Sequence, residues 1–208
     1  MELVERIKQR ILSALGHQSE YEIIEERFLK AIIDAFTRIK IDTTFEEKIR
    51  DNIVRDLELH NPYTKDFLAV KFFFLSFEDW ENISDNERSR SDMAFRTTGL
   101  KFVLECKTLK FADKKYLEEG LQRFIELKYA ERDNFAGMLG FIIAGKPENI
   151  VKNLKKKVRT FHPASDIEAW LSKKCLDQPL SFQSKHLRNN NTEIHIFHLF
   201  FDVRAEKK

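Results

Sequence analysis

Apolar positions recur at helical spacing in three stretches at the start of the chain. Residues 2–15 place Leu3, Val4, Ile7, Ile11, Leu12 and Leu15 on one face, and residues 20–39 do the same with Ile23, Ile24, Phe28, Ile32, Ile33 and Phe36. A third helix follows an N-cap candidate, Thr43 or Thr44, with acidic residues in its first turn. Ile49, Ile53, Val54 and Leu57 form its apolar face, and Asn61-Pro62 ends it. The texture then turns to strand. "DFLAVKFFFLSF" at 66–77 predicts one strand or two, "SDMAF" at 91–95 a short strand, "RTTG" at 96–99 a turn and "LKFVLECKTL" at 100–109 another strand. Residues 91–109 therefore predict a hairpin. Residues 114–131 return to helical spacing, and "AGMLGFIIAG" at 136–145 is an apolar strand bounded by glycine. Pro147 opens a basic helix, 163–174 adds a short one, and the chain closes with a strand, a polar turn and a longer strand. This order predicts an α/β fold with a mixed sheet flanked by helices.

Composition adds bounds. The 208 residues, 42% hydrophobic and 34% charged with 19 Phe, suit one globular core. The formal net charge of +2 is too small to imply nucleic-acid binding, so such a role must rest on local patches. Cys106 and Cys175 make no disulfide framework, which fits a reducing compartment. The charged N-terminus lacks a secretory signal pattern, and the longest apolar run, "FFFLSF", is too short to span a bilayer. A cytoplasmic protein with no membrane partner is expected. The chain has no zinc-ligand spacing, P-loop or Gly-rich dinucleotide loop. His195 and His198, three apart in a strand, face opposite ways and are expected to be structural.

The unusual residues are Glu105 and Lys107 in "FVLECKTL". Side chains alternate along a strand, so these two share a face while Phe102, Leu104 and Cys106 take the other. Burying a charge is costly unless it is paired or bound to a metal. Asp92, across the expected hairpin, falls beside Glu105, since cross-strand neighbours stand about 5 Å apart. Two adjacent carboxylates repel when bare and suit Mg²⁺ or Mn²⁺, while a nearby ammonium orients water or stabilises phosphate charge. These are the parts needed to hydrolyse a phosphodiester. The bland counterpart is an Asp92–Lys107 ion pair with Glu105 solvated at a sheet edge.

The pattern "SD" at 91–92, followed thirteen residues after the aspartate by "ECK" at 105–107, resembles the D…ExK signature of the restriction-endonuclease-like, or PD-(D/E)xK, nuclease superfamily. Ser91 stands where that family's eponymous proline would be. The resemblance covers about half the chain and implies a core of helix, three strands, helix and strand over residues 45–145. Residues 1–44 would then be an N-terminal helical arm, and 146–208 a C-terminal α/β extension of the same domain. It implies that Asp92, Glu105 and the carbonyl of Cys106 hold Mg²⁺ or Mn²⁺, and that Lys107 positions or activates water. Glu46 or Glu47 would be the acid of the first core helix, with Glu46 favoured because it shares a face with Ile49 and Ile53. Gln122 would be the glutamine of the helix after the third strand.

Around this site Arg88, Arg90, Lys110 and Arg123 are candidate substrate contacts, as are Lys155 and Lys156 within the basic run Lys152–Arg159, which is otherwise a solvated helix face. The expected function is a metal-dependent nuclease acting on DNA in preference to RNA, with a role in defence against foreign DNA by analogy. The C-terminal extension, a homodimer partner or another protein would supply any sequence specificity. The alternative is a non-catalytic subunit that binds nucleic acid or protein on a nuclease-like fold.

Overall fold

A computed structural model describes residues 2–84, 87–161 and 167–204, apart from the side chains of residues 2, 4, 78–84, 87–90 and 167–169. Helices α1 (Glu2–Ala14), α2 (Glu20–Ile23) and α3 (Lys30–Arg38) come first, the last two joined by a π-helical stretch, Ile24–Leu29. Helices α4 (Glu46–Leu59) and α5 (Lys65–Ala69) precede strands β1 (Phe74–Ser84), β2 (Glu87–Thr97) and β3 (Leu100–Leu109). Helix α6 (Lys114–Tyr116), a π-helical stretch Leu117–Leu121 and α7 (Gln122–Ile125) lead to β4 (Phe135–Ile142). Helices α8 (Pro147–Phe161) and α9 (Ile167–Ser172) precede β5 (Ser181–Leu187) and β6 (Glu193–Asp202). Among the described residues the strands form one six-stranded sheet in the order β1-β2-β3-β4-β6-β5. β4 runs parallel to β3 and β6, and the other neighbours are antiparallel. The α/β class and the mixed sheet flanked by helices are as the element order predicts.

Alternation along the central strands sends side chains into two cores. Phe102, Leu104 and Cys106 of β3 join Leu139, Phe197 and Leu199 against the helices before β1. Val103 and Leu109 point the other way, into a core shared with α6, α7 and α8. The helices before α4 pack on the first core through Leu12, Ile23, Ile24, Phe28, Leu29 and Ile32. Phe28 stacks on Phe95 with ring centroids 4.6 Å apart and meets Phe73 edge-on at 5.3 Å. Each such buried ring stabilises by about 1.5–3 kcal/mol. Residues after 146 are likewise integral, since α8 covers the second face and β5 and β6 extend the same sheet.

Several boundaries differ from expectation. The N-cap of α4 is Phe45, with no side-chain cap, rather than Thr43 or Thr44. The helical run expected over 114–131 ends at Ile125, and Leu127 and Ala130 beyond it take positive φ values of +63° and +52°. Residues 66–77 divide into helix α5, which ends near Lys71 at a φ of +57°, and the start of β1 at Phe74. A short apolar run fits either period. Here the helical choice packs Phe67 and Leu68 on the core and leaves Val70 74% exposed. The second strand begins at Glu87, not Ser91, so the β1–β2 hairpin reaches well past the end of its pairing with β3.

His195 and His198 face opposite layers, as the strand period requires. His198 Nδ1 meets Tyr116 Oη at 2.8 Å, and its Nε2 meets Ser184 Oγ at 2.8 Å. His195 Nε2 meets Gln183 Oε1 at 2.8 Å. Burial, with help from Lys173 and Lys185, pushes His195 down to about 3. Between its ordinary value of 6.5 and 3 the unfolded chain binds a proton there that the fold refuses, so stability falls as pH falls through that window. The loss is up to about 1.4 kcal/mol per pH unit. His195→Gln should flatten the pH dependence of urea-unfolding stability by about that slope between roughly pH 6 and pH 4. An unchanged slope would mean that the folded protein accepts the proton.

Candidate active site

The ladder between β2 and β3 stops at Met93–Leu104, and the next residue on each strand is Asp92 and Glu105. Alternate N–H groups leave a strand on the same edge. Beyond Leu104, those of Cys106 and Thr108 point where β2 would have continued. Side-chain carboxylates take them instead. Cys106 N–H donates to Asp92 Oδ2 at 2.7 Å, and Thr108 N–H donates to Glu46 Oε2 at 2.6 Å. Glu46 sits in the first turn of α4, whose Ile49 and Ile53 are fully buried and lock the helix against the sheet. One turn farther on, the buried Arg50 reaches Asp92, Nη1 to Oδ1 at 3.4 Å.

Glu105 is 1% exposed. Its Oε1 accepts from Lys107 Nζ at 2.6 Å and from Arg123 Nη1 at 3.3 Å. Its Oε2 is buried and has no hydrogen-bond partner among the described residues. Burial first, then the neighbouring Asp92, raises this carboxyl to about 7, against the opposing pull of Lys107 and Arg123. Burial raises Glu46 too, with Lys107 opposing and Asp92 assisting. For Lys107 burial works to lower the value, but Glu105, Asp92 and Glu46 outweigh it and hold the ammonium above its ordinary range. Lys107 Nζ also donates to Cys106 O at 2.9 Å. The π-helical stretch crosses close over this point. A Cβ on Gly120 would lie 3.9 Å from Glu105 Cγ, in ordinary contact, and 2.4 Å from Met138 Cε, which would have to turn aside.

No protein-family model, curated protein or solved structure matches the chain. What the arrangement can do follows from its own chemistry.

Asp92, Glu105 and the Cys106 carbonyl are hard oxygen donors gathered at one end of the β3 ladder. A buried Glu105 oxygen without a partner is the place where such a set gains from a cation. The donors therefore fit Mg²⁺ or Mn²⁺. Lys107 Nζ donates to two of them, Glu105 Oε1 and Cys106 O.

The structure brings together Asp92, Glu105, Cys106, Lys107 and Glu46 as sequence reasoning proposed. Of the two first-turn acids it is Glu46 that reaches the site, while Glu47 is exposed. Gln122 hydrogen-bonds Glu126 on its own helical run, and the residue of that run on Glu105 is the adjacent Arg123. Arg123, read as a substrate contact, also donates to Tyr129 Oη. Lys110 is exposed just past β3, and Lys156 is exposed on α8. Lys155 is half-buried with Nζ 5.4 Å from the Phe182 ring centroid. The side chains of Arg88 and Arg90 lie outside the described residues. Sequence reasoning missed Arg50. Its signal was an arginine four residues after Glu46, beside Ile49 on an otherwise apolar face.

These partners revise the expectation that bare Asp92 is held back mainly by repulsion. With Arg50 and the Cys106 N–H on it, Asp92→Asn in EDTA should lose about 1–3 kcal/mol. Glu105→Gln should behave oppositely. A carboxyl raised from 4.5 to about 7 costs stability as pH rises from 4.5 to about 7, because the unfolded chain ionises first. The full cost stands above that, and the amide avoids it. Glu105→Gln should be more stable than the parent chain at about pH 8, by roughly 2–3 kcal/mol. Denaturant melts of both variants with EDTA test this. A destabilised Glu105→Gln would mean that the ionised carboxylate holds Lys107 and Arg123 in place.

Proposed function

We propose that the protein is a divalent-metal-dependent nuclease hydrolysing phosphodiester bonds in DNA, on a core arranged like that of the PD-(D/E)xK superfamily. The observation that carries this reading is the buried Glu105 carboxylate. One of its oxygens is unpartnered among the described residues, and it lies beside Asp92, Lys107 and, across the β3 edge, Glu46. Asp92, Glu105 and the Cys106 carbonyl would hold Mg²⁺ or Mn²⁺, which when bound supplies Lewis-acid charge stabilisation and a more acidic water.

The chain's own groups divide the remaining work. Lys107, held charged by three carboxylates, donates and orients, and it counters charge developing on a phosphoryl oxygen. It is unsuited to taking a proton. Glu46, raised by burial, is the better proton acceptor. Arg123 lies half open to solvent beside Glu105 and can turn toward a phosphate once cation charge replaces its role there. On α8, Lys157 is tied to the Ala112 carbonyl and Lys155 to Phe182, which leaves Lys152 and Lys156 as exposed phosphate contacts.

The test is incubation of the pure protein with linear, circular and single-stranded DNA, and with RNA, in Mg²⁺, Mn²⁺ or EDTA. DNA cleavage should require the cation and fall at least about a hundredfold in Glu105→Ala and in Lys107→Ala. Cleavage that persists in both variants would place the activity elsewhere. Binding without cleavage in any metal would favour the non-catalytic subunit, and cleavage of RNA alone would move the substrate.

A second measurement addresses the basic helix. Lys152→Gln with Lys156→Gln should weaken binding to all duplex sequences alike. It should also reduce the salt slope by roughly 0.9 for each phosphate no longer neutralised. An unchanged slope would return α8 to a solvated face.

A further inference from the structure

The turn between α1 and α2 holds a cluster that the carboxylate site does not use. Gly16, at a φ of +79°, takes the chain out of α1, and Ser19 caps α2 by accepting the Glu22 N–H at 3.2 Å. Between them His17 is 8% exposed, yet neither ring nitrogen has a hydrogen-bond partner among the described residues. Its Nδ1 lies 3.8 Å from Glu26 Oε2, beyond hydrogen-bond range. Glu22 stands one helical turn before Glu26, and a donor atom from each of His17, Glu22 and Glu26 lies within 4.8 Å of the others. The Gln18 N–H donates to Glu22 Oε2 at 2.6 Å and fixes that carboxylate beside the turn.

We propose that His17, Glu22 and Glu26 bind a zinc-class divalent cation at the α1–α2 turn. A buried imidazole with both nitrogens unpartnered is costly, and one coordinate bond relieves it. Two carboxylates offset the charge of a dication. Tetrahedral zinc at about 2.0–2.2 Å sets its ligand atoms roughly 3.3–3.6 Å apart. Rotation of Glu26, whose side chain is 60% exposed, closes its 3.8 Å separation from His17 Nδ1 to that range. The imidazole donor selects zinc over magnesium, which takes oxygen ligands. His17 and Glu26 also line a cavity of about 720 Å³, so the fourth position opens toward solvent or an anion. The cations on that cavity are turned to other partners. Arg27 donates to the Tyr63 carbonyl at 3.4 Å and lies 4.5 Å over the Phe67 ring, and Lys30 Nζ lies 5.1 Å from the Tyr63 ring. Bound metal would clamp α1, which contributes Leu12 to the core, onto the helical layer.

The experiment is calorimetric titration of Zn²⁺ into the metal-free full chain carrying Glu105→Gln, so that the β3 site lacks one of its carboxylates. One equivalent should bind saturably and raise Tm by about 5–10 °C at a hundredfold excess over the dissociation constant. Adding His17→Gln or Glu26→Gln should weaken binding at least about tenfold, and equimolar Mg²⁺ should not compete. Should His17→Gln fail to fold, the exposed Glu26 decides the matter. Absence of saturable zinc binding in the Glu105→Gln chain overturns the proposal. So does binding untouched by these substitutions, or displaced by equimolar Mg²⁺. None of these outcomes depends on nuclease activity.

Discussion

The backbone donors of Cys106 and Thr108 organise the candidate site. β3 is paired through Leu104 on the β2 side, and past that point two N–H groups on the same edge need acceptors. A neutral carbonyl strand would satisfy them and leave nothing reactive. Asp92 and Glu46 satisfy them instead, one from the strand that is parting and one from the first turn of α4. Each charge-assisted bond is stronger than a neutral one. Together they draw two elements that are distant in sequence to within reach of the same lysine. The fork in the sheet and the carboxylate cluster are one structural event.

Placing carboxylates in a half-closed edge raises an electrostatic problem, and the fold solves it with local cations. Asp92, Glu105 and Glu46 face Lys107, Arg50 and Arg123, with buried members on both sides. Breaking a buried pair leaves an uncompensated charge, so such a set is held together more by the cost of disruption than by its net attraction. The balance is uneven. Asp92 has two donors, whereas Glu105 has an oxygen with none among the described residues and is pushed up to about 7. That imbalance is where a cation gains most, and Gly120 of the π-helical stretch lies close by, where an added Cβ would come within 3.9 Å of Glu105 Cγ.

The two helical layers keep this edge rigid. On one side Ile49 and Ile53 of α4 are fully buried in the same core as Phe102, Leu104 and Cys106. On the other, Gly120 and Leu121 pack over Met138 and Val103. A shift of either layer would move Glu46 or Arg123 relative to β3. Residues 1–44 matter to the site for this reason, although none of their described side chains reaches it. Phe28, stacked on Phe95, fixes the β2–β3 hairpin a few residues from the fork.

Sequence alone determined what depends on local period. The N-terminal helices, the basic helix α8, the hairpin around Gly99, the apolar β3 and the shared face of Glu105 and Lys107 all follow from spacings of two or of three to four residues. So does the preference for Glu46 over Glu47, since only Glu46 lies toward the face of Ile49 and Ile53. Tertiary structure decided what depends on meeting partners. The run at 66–77 fits both periods, and packing of Phe67 and Leu68 made its first half a helix. Arg50 carries no sequence mark of its target, because Asp92 is forty-two residues away and meets it only when α4 docks against the edge of β3. Arg123 rather than Gln122 meets Glu105, on a run that passes through the π-helical stretch Leu117–Leu121, where the α-helical spacing does not hold. Local periodicity specifies which residues share a face, and only long-range packing specifies which faces meet.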